Sequence, residues 1–361
     1  MSGCLPIRTV MKKTIKATTA KPQTTKRRPW LKITMAFLSF LMIVSLGWNV
    51  YFSAKGSANS TRTTSEAAPP AASPVVYVRQ QVGDGKLVHP LLMAERMAES
   101  PRLASLKPEL QRIIQEWEAD GRISSVSVYM ASLNNMDWIG IGSDLGYLPG
   151  SLMKVPILIY YLKEEQRHPG TLKKEFVYER PRNSFPQQNF MGDSIIPGHR
   201  YKISELLRYM IAESDNNATW VLSYHIDQEE YRKIFLDLEI PPYEVQNTMY
   251  SISPRQYSKF FRVLYSSTYL DEQLSEYALE LLSDCNFRDG IVKDLPKGTV
   301  AVHKFGERGI DYDQNFCESA IIYYKSNPYL LTIMTKGKDV KKQTSLVSEL
   351  SKEIYRLYGS I

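Results

Sequence analysis

Twenty consecutive residues, Ile33–Phe52, carry no formal charge, and only Thr34, Ser39, Ser45 and Asn49 among them have polar side chains. A helix of that length rises about 30 Å at 1.5 Å per residue, which matches a hydrocarbon core. Lys26, Arg27, Arg28 and Lys32 stand immediately before the run, and a basic flank of this kind stays on the cytoplasmic side. The sequence therefore predicts a basic cytoplasmic tail over 1–32, a single membrane-spanning helix over 33–53 and an extracytoplasmic remainder, a single-pass protein of the cell membrane. A cleaved signal peptide is the competing reading, but it ordinarily has a shorter apolar stretch and a shorter basic lead. Residues 54–75 are nearly all small, polar or Pro. They offer no apolar face to bury, so they read as a flexible, disordered linker. A single globular domain over 76–361 follows.

Charge separates these parts. The whole chain has 45 Lys plus Arg against 38 Asp plus Glu, but residues 1–32 hold nine of the bases and no acid. The remainder is close to neutral, so no basic field covers the folded part and nucleic acid is not an expected partner. Cys4 lies in the tail, while Cys285 and Cys317 lie in the outer region, where oxidation is permitted and the two could pair. The five His (89, 168, 199, 225 and 303) are scattered and no Cys-x-x-Cys or His-Glu-x-x-His occurs, so neither a metal nor another cofactor is expected.

Hydrophobic periodicity orders the globular part. Leu110, Ile113, Ile114 and Trp117 repeat at helical spacing after Ser105 and before a Gly121 stop. Val126–Ala131 and Trp138–Ile141 read as strands of a hairpin turning through Leu133–Asp137, and Ser319–Tyr324 and Tyr329–Met334 as a later pair. Leu346, Leu350, Ile354 and Leu357 share one face of a closing helix. The middle, about 151–285, is helical in pattern. This order predicts an α+β fold: an antiparallel sheet flanked by helices from the two chain ends, with an inserted all-helical lobe and a cleft between lobe and sheet.

Three short motifs could carry chemistry. Ser151 and Lys154 form the one Ser-x-x-Lys of the chain, at the start of a helical run. Residues three apart share a helix face, which sets an amine beside the hydroxyl, and the helix N-terminus favours a developing oxyanion. Pro156 predicts an irregular first turn. Ser214-Asp215-Asn216 follows; alone, such a triplet is usually a helix cap. Val300–His303 then leads as a strand into Lys304-Phe305-Gly306-Glu307, which alone reads as an exposed strand end.

Together, in this order, the three resemble the Ser-x-x-Lys, Ser-Asp-Asn and Lys-Thr-Gly set of the class A β-lactamases and penicillin-binding proteins. The likeness spans about residues 100–361 and implies a β-lactamase/transpeptidase-like fold. It implies that Ser151 is the acylated nucleophile, Lys154 its proton acceptor, and Ser214 the relay to the leaving group. By the same resemblance Asn216 holds a substrate amide, Lys304 attracts a substrate anion, and the backbone N–H groups of Ser151 and Glu307 form an oxyanion hole. Phe305 and Gly306 complete the substrate-binding strand. Two features depart from the pattern. Phe305 stands where the family has a hydroxyl that grips a substrate carboxylate, and the Glu-x-x-Leu-Asn motif of class A deacylation is absent, with Glu244 the nearest stand-in by position.

The expected activity is that of a membrane-anchored, class A-like serine hydrolase, forming an acyl-enzyme on an amide or ester, possible β-lactams included, with deacylation in doubt. A D-Ala-D-Ala peptidase of the cell wall and a non-catalytic binding module of the same fold are the alternatives. The expected partners are a small-molecule or cell-wall peptide substrate and the membrane, with the chain itself a monomer.

Overall fold

The computed structural model describes residues 98–135, 137–180, 189–190, 192–243, 249–310 and 313–361. The tail, the apolar run, the linker and Glu244 lie outside the described residues. Among the described residues no helix is long and apolar enough to cross a membrane.

The chain enters through a single turn, α1 (Pro101–Ala104), and the amphipathic helix α2 (Lys107–Ala119). Ser105 does not open α2: its hydroxyl donates to the Arg102 carbonyl, and α2 begins at Lys107 with Pro108 in its first turn. That site suits proline, because a first-turn N–H has no intrahelical acceptor. Gly121, at φ +64°, ends the helix in the left-handed conformation that glycine adopts without strain. The hairpin β1 (Ile123–Ser132) and β2 (Trp138–Ile141) follows as expected.

A 3-10 turn over Gly150–Met153 then leads into α3 (Lys154–Arg167), and the helical lobe is completed after a small ribbon, β3 (Glu175–Val177) with β4 (Arg200–Lys202). Its further helices are α4 (Ile203–Ala212), α5 (Asn216–Tyr224), α6 (Gln228–Asp237), α7 (Pro254–Tyr265) and α8 (Glu272–Ser283). The chain returns to the sheet as β5 (Ala301–Ile310), β6 (Asp313–Ile322) and β7 (Tyr329–Gly337) and closes with α9 (Val340–Tyr358).

All pairings in the five-stranded sheet are antiparallel, in the order β2-β1-β7-β6-β5. The central strand β7 is buried on both faces. Tyr329, Leu331 and Ile333 pack with Leu110 and Ile114 of α2 and Leu350 and Ile354 of α9, whereas Leu330 and Met334 pack with the helical lobe. The two terminal helices meet directly, Trp117 Nε1 donating to Glu349 at 2.9 Å. The strand β5 is left at the sheet edge, beside the 3-10 turn that carries Ser151. Cys285 and Cys317 are both buried free thiols, so the expected possibility of a bridge is not realised.

Candidate active site

Two glycines bring the 3-10 turn against β5. A Cβ built on Gly306 would stand 2.6 Å from the Leu152 nitrogen and 2.9 Å from the Ser151 nitrogen, and one on Gly150 would stand 3.0 Å from the Glu307 nitrogen. Only bare backbone fits at both places. The first N–H groups of a helical turn lack intrahelical acceptors, so the Ser151 amide sits free of α3 and beside the Glu307 backbone. That juxtaposes the two groups that the sequence nominated as oxyanion donors.

Across from this edge stands the Ser214 turn. Ser214 adopts φ +54°, a conformation costing about 1 kcal/mol for a residue with a Cβ. Its hydroxyl oxygen lies 3.1 Å from Lys154 Nζ and 3.0 Å from Lys304 Nζ, and Lys154 also donates to the Ser214 carbonyl and, at 2.9 Å, to Asn216 Oδ1. The hydrogen bonds of Lys154 thus go to the Ser-Asp-Asn turn and not to the Ser151 hydroxyl. Ser151, Lys154, Ser214 and Lys304 are all buried, so Lys304 is no exposed strand end.

Burial shifts both lysines downward. Desolvation, and secondarily the Lys304 cation, holds the Lys154 amine well below the ordinary lysine range. Lys304 is lowered to about 8, again by burial, with the Cys285 thiol and the Glu318 and Glu307 carboxylates opposing the shift. Burial lowers both amines, and the neighbouring cation is a further lowering cause for Lys154 alone, so of the two Lys154 is the one more biased toward the neutral form. A neutral Lys154 has two N–H groups for the Ser214 carbonyl and Asn216 Oδ1, which leaves its lone pair for a hydroxyl proton.

Within the triplet, Asp215 is the helix cap that such a sequence alone suggests. Its carboxylate caps α5 by accepting from Asn217 N at 2.9 Å and Ala218 N at 3.2 Å, while Ser214 and Asn216 on either side meet the lysines. Phe305 alternates with Lys304 along the strand, yet the Lys304 ammonium lies over its ring, 4.1 Å from the centroid. Its ring is 2% exposed, stacks on Phe287 at 4.1 Å and meets Phe190 edge-on at 5.1 Å. Sequence reasoning missed Glu213, Asn189 and Phe190. The Glu307 carboxylate accepts from Asn189 N at 2.7 Å and Asn189 Nδ2 at 2.6 Å, and Glu213 accepts from Asn286 Nδ2 at 2.7 Å. Nothing in a linear pattern ties residues 118 positions apart through a backbone amide. Among the described residues no group of three or more His, Cys, Asp or Glu is disposed to hold a metal ion.

The sequence profile of the Beta-lactamase enzyme family matches residues 106–358. No curated protein sequence matches the chain. Among solved structures, PBP-A is similar at 18% identity, with 71% of this chain and 97% of that chain covered and a TM-score of 0.59. A mutant of PBP-A, also 18% identical over 72% of this chain and 98% of that chain with a TM-score of 0.60, is an acyl-enzyme complex with penicillin G. A class A beta-lactamase from Mycobacterium abscessus is 20% identical over 70% of this chain and 99% of its own, with a TM-score of 0.58. Likeness at these identities is likeness of fold.

Proposed function

From a chain that belongs to the beta-lactamase enzyme family, we propose a membrane-anchored serine hydrolase that forms an acyl-enzyme at Ser151 on an amide or ester substrate outside the membrane. The observation that carries this reading is the Ser214 hydroxyl held 3.1 Å and 3.0 Å from two buried lysines whose pKa values are both lowered by burial.

In this reading neutral Lys154 takes the proton of Ser151 as its oxygen attacks the carbonyl carbon. The negative charge that develops on the carbonyl oxygen is met by the N–H groups of Ser151 and Glu307, fixed in place by the glycine contacts and needing no reorganisation. Ser214 accepts from the Lys304 cation, so its own proton is available to the leaving group, and Lys154 replenishes it. Asn216 Oδ1 is engaged by Lys154, which turns its amide nitrogen toward a substrate carbonyl. The acylated state of the PBP-A mutant supports the assignment by fold. The uncharged run Ile33–Phe52 behind a basic flank supports the anchor.

Intact-mass spectrometry of the full chain in detergent tests the chemistry. A fluorophosphonate, a β-lactam or a D-Ala-D-Ala peptide should add one acyl or phosphonyl mass, lost in Ser151→Ala. Labelling that persists in the mutant removes Ser151 from the nucleophile role. Protease added to intact cells should digest the outer domain and spare a tag placed before Ile33; release of a soluble chain starting near Lys55 rejects the anchor.

A further inference from the structure

The segment around Asn189–Phe190 and Gly192–Ile195 crosses from one wall of the site to the other and is tied down at both ends by carboxylates. At the β5 wall, the Glu307 carboxylate takes the amides of Asn189 at 2.7 Å and Phe190 at 3.3 Å together with the Asn189 side chain. At the Ser214 wall, Glu213 takes the Asp193 amide at 3.3 Å and Asp215 takes the Ile195 amide at 3.1 Å and the Ser194 hydroxyl at 2.9 Å. Gly192 lies so close to this wall that a Cβ on it would stand 2.8 Å from the Glu213 carbonyl oxygen. The two walls are the ones that carry Lys304 and Ser214, so the strap spans the end of the groove beside the proton relay.

That end is where a leaving group must lie, because its departing atom needs the proton of Ser214. There it would meet the Glu307 carboxylate and the edge of Phe190, which covers the buried rings of Phe305 and Phe287. The nearby cation, Lys304, is fully buried and already bonded to the Ser214 hydroxyl and the Phe305 carbonyl. A carboxylate placed against aromatic rings and a like charge loses hydration without gaining a partner.

We propose that Glu307 and Phe190, with the strap they hold, make the site prefer substrates whose leaving group is compact and uncharged, and slow, without abolishing, acylation by those whose leaving group bears a carboxylate. The proposal rests on the acyl-enzyme reading above and adds the substrate class.

A matched pair of thioesters isolates the leaving side: hippuryl thioglycolate, which carries a carboxylate there, and hippuryl thioglycolamide, which does not. In each the bond from Ser151 Oγ to the acyl carbon forms as the carbon–sulfur bond breaks, and the thiol departs with the serine proton. Thiol release by the full chain, corrected for each ester's own reactivity, should favour the amide by about tenfold or more. Glu307→Gln, which keeps the size and a hydrogen-bonding head, should reduce that preference to about threefold or less by removing the like charge. Phe190→Ala should raise the rate with bulkier neutral thiols, and circular dichroism of both variants checks that they fold. Acylation of Ser151 at equal rates by both esters, or faster by the carboxylate, overturns the selectivity and leaves the hydrolase reading standing, as does an unchanged preference in folded Glu307→Gln. Failure of either ester and of a fluorophosphonate to modify Ser151 overturns the hydrolase reading, and the selectivity with it.

Discussion

A Cβ built on Gly306 would stand 2.9 Å from the Ser151 amide nitrogen, closer than side-chain carbons approach backbone. The strand and the turn that carries Ser151 are therefore in contact only because residue 306 has no side chain. Gly306→Ala should push β5 away and, if the Glu307 N–H is the oxyanion donor proposed above, misalign it from the substrate carbonyl oxygen. Losing one oxyanion donor typically costs about 10²- to 10³-fold in the chemical step. Stopped-flow acylation by a chromogenic ester should show a drop of that size with the far-ultraviolet dichroism unchanged; a drop under threefold would mean that this strand edge supplies no donor.

The two lysines predict a bell-shaped pH dependence of acylation. A general base acts when neutral, so the rate climbs as pH rises through the lowered pKa of Lys154. It falls again as Lys304, needed as a cation, loses its proton at about 8. Burial, the larger cause of the Lys154 shift, is unaffected by Lys304→Gln, but the second cause, the Lys304 charge, is removed. The acid limb should then move to higher pH and the alkaline limb near 8 should disappear. A pH–rate profile with only an acid limb in the native protein would contradict the role given to Lys304.

Behind β5, on the face away from Ser214, His303 and Glu318 are fully buried as a pair. Glu318 accepts from Ile291 N at 2.7 Å and is 2.8 Å from His303 Nδ1. Glu318→Ala would leave both donors unpaired in a dry interior and open a cavity beside Gly290. Leaving a buried donor without its partner typically costs about 1–3 kcal/mol. Urea unfolding should show a lower midpoint with an unchanged slope, and a loss under about 1 kcal/mol would show that water reaches the pair.

How much of this was legible in the sequence depended on what each segment buries. The helix α2, the β1–β2 hairpin, β7 and α9 were readable because their apolar residues repeat at 3.6 or 2 and face one core. The strands β5 and β6 were read short, from Val300 to His303 and from Ser319, because Lys304, Asn315 and Glu318 are polar yet buried. Only partners on other strands and loops make such residues tolerable inside a sheet. The site motifs stood out by order and spacing, whereas the bonds of Lys154 to Ser214 and Asn216 depend on the packing of α3 against α5. The strap was invisible, since its ties are backbone amides, which every residue has.

Deacylation is expected to limit turnover of any β-lactam. In the proposed mechanism acylation has its nucleophile, base, relay and donors, but hydrolysis of the acyl-enzyme also needs a base for water. The carboxylates nearest the cleft are occupied: Asp215 caps α5 and holds Ile195, Glu213 holds Asp193 and Asn286, and Glu307 holds Asn189 and Phe190. Carboxylate oxygens already committed to N–H groups are not placed to receive a proton from a water. The class A deacylation motif is absent from the sequence, and Glu244, its positional stand-in, lies outside the described residues. Lacking one general base typically slows its step about 10²- to 10⁴-fold, so the covalent species should accumulate. Rapid mixing with a chromogenic β-lactam should give a burst near one equivalent and then a slow steady state. A fast linear trace would show instead that a base is in place, and if Glu244 is that base, Glu244→Gln should turn the linear trace into a burst.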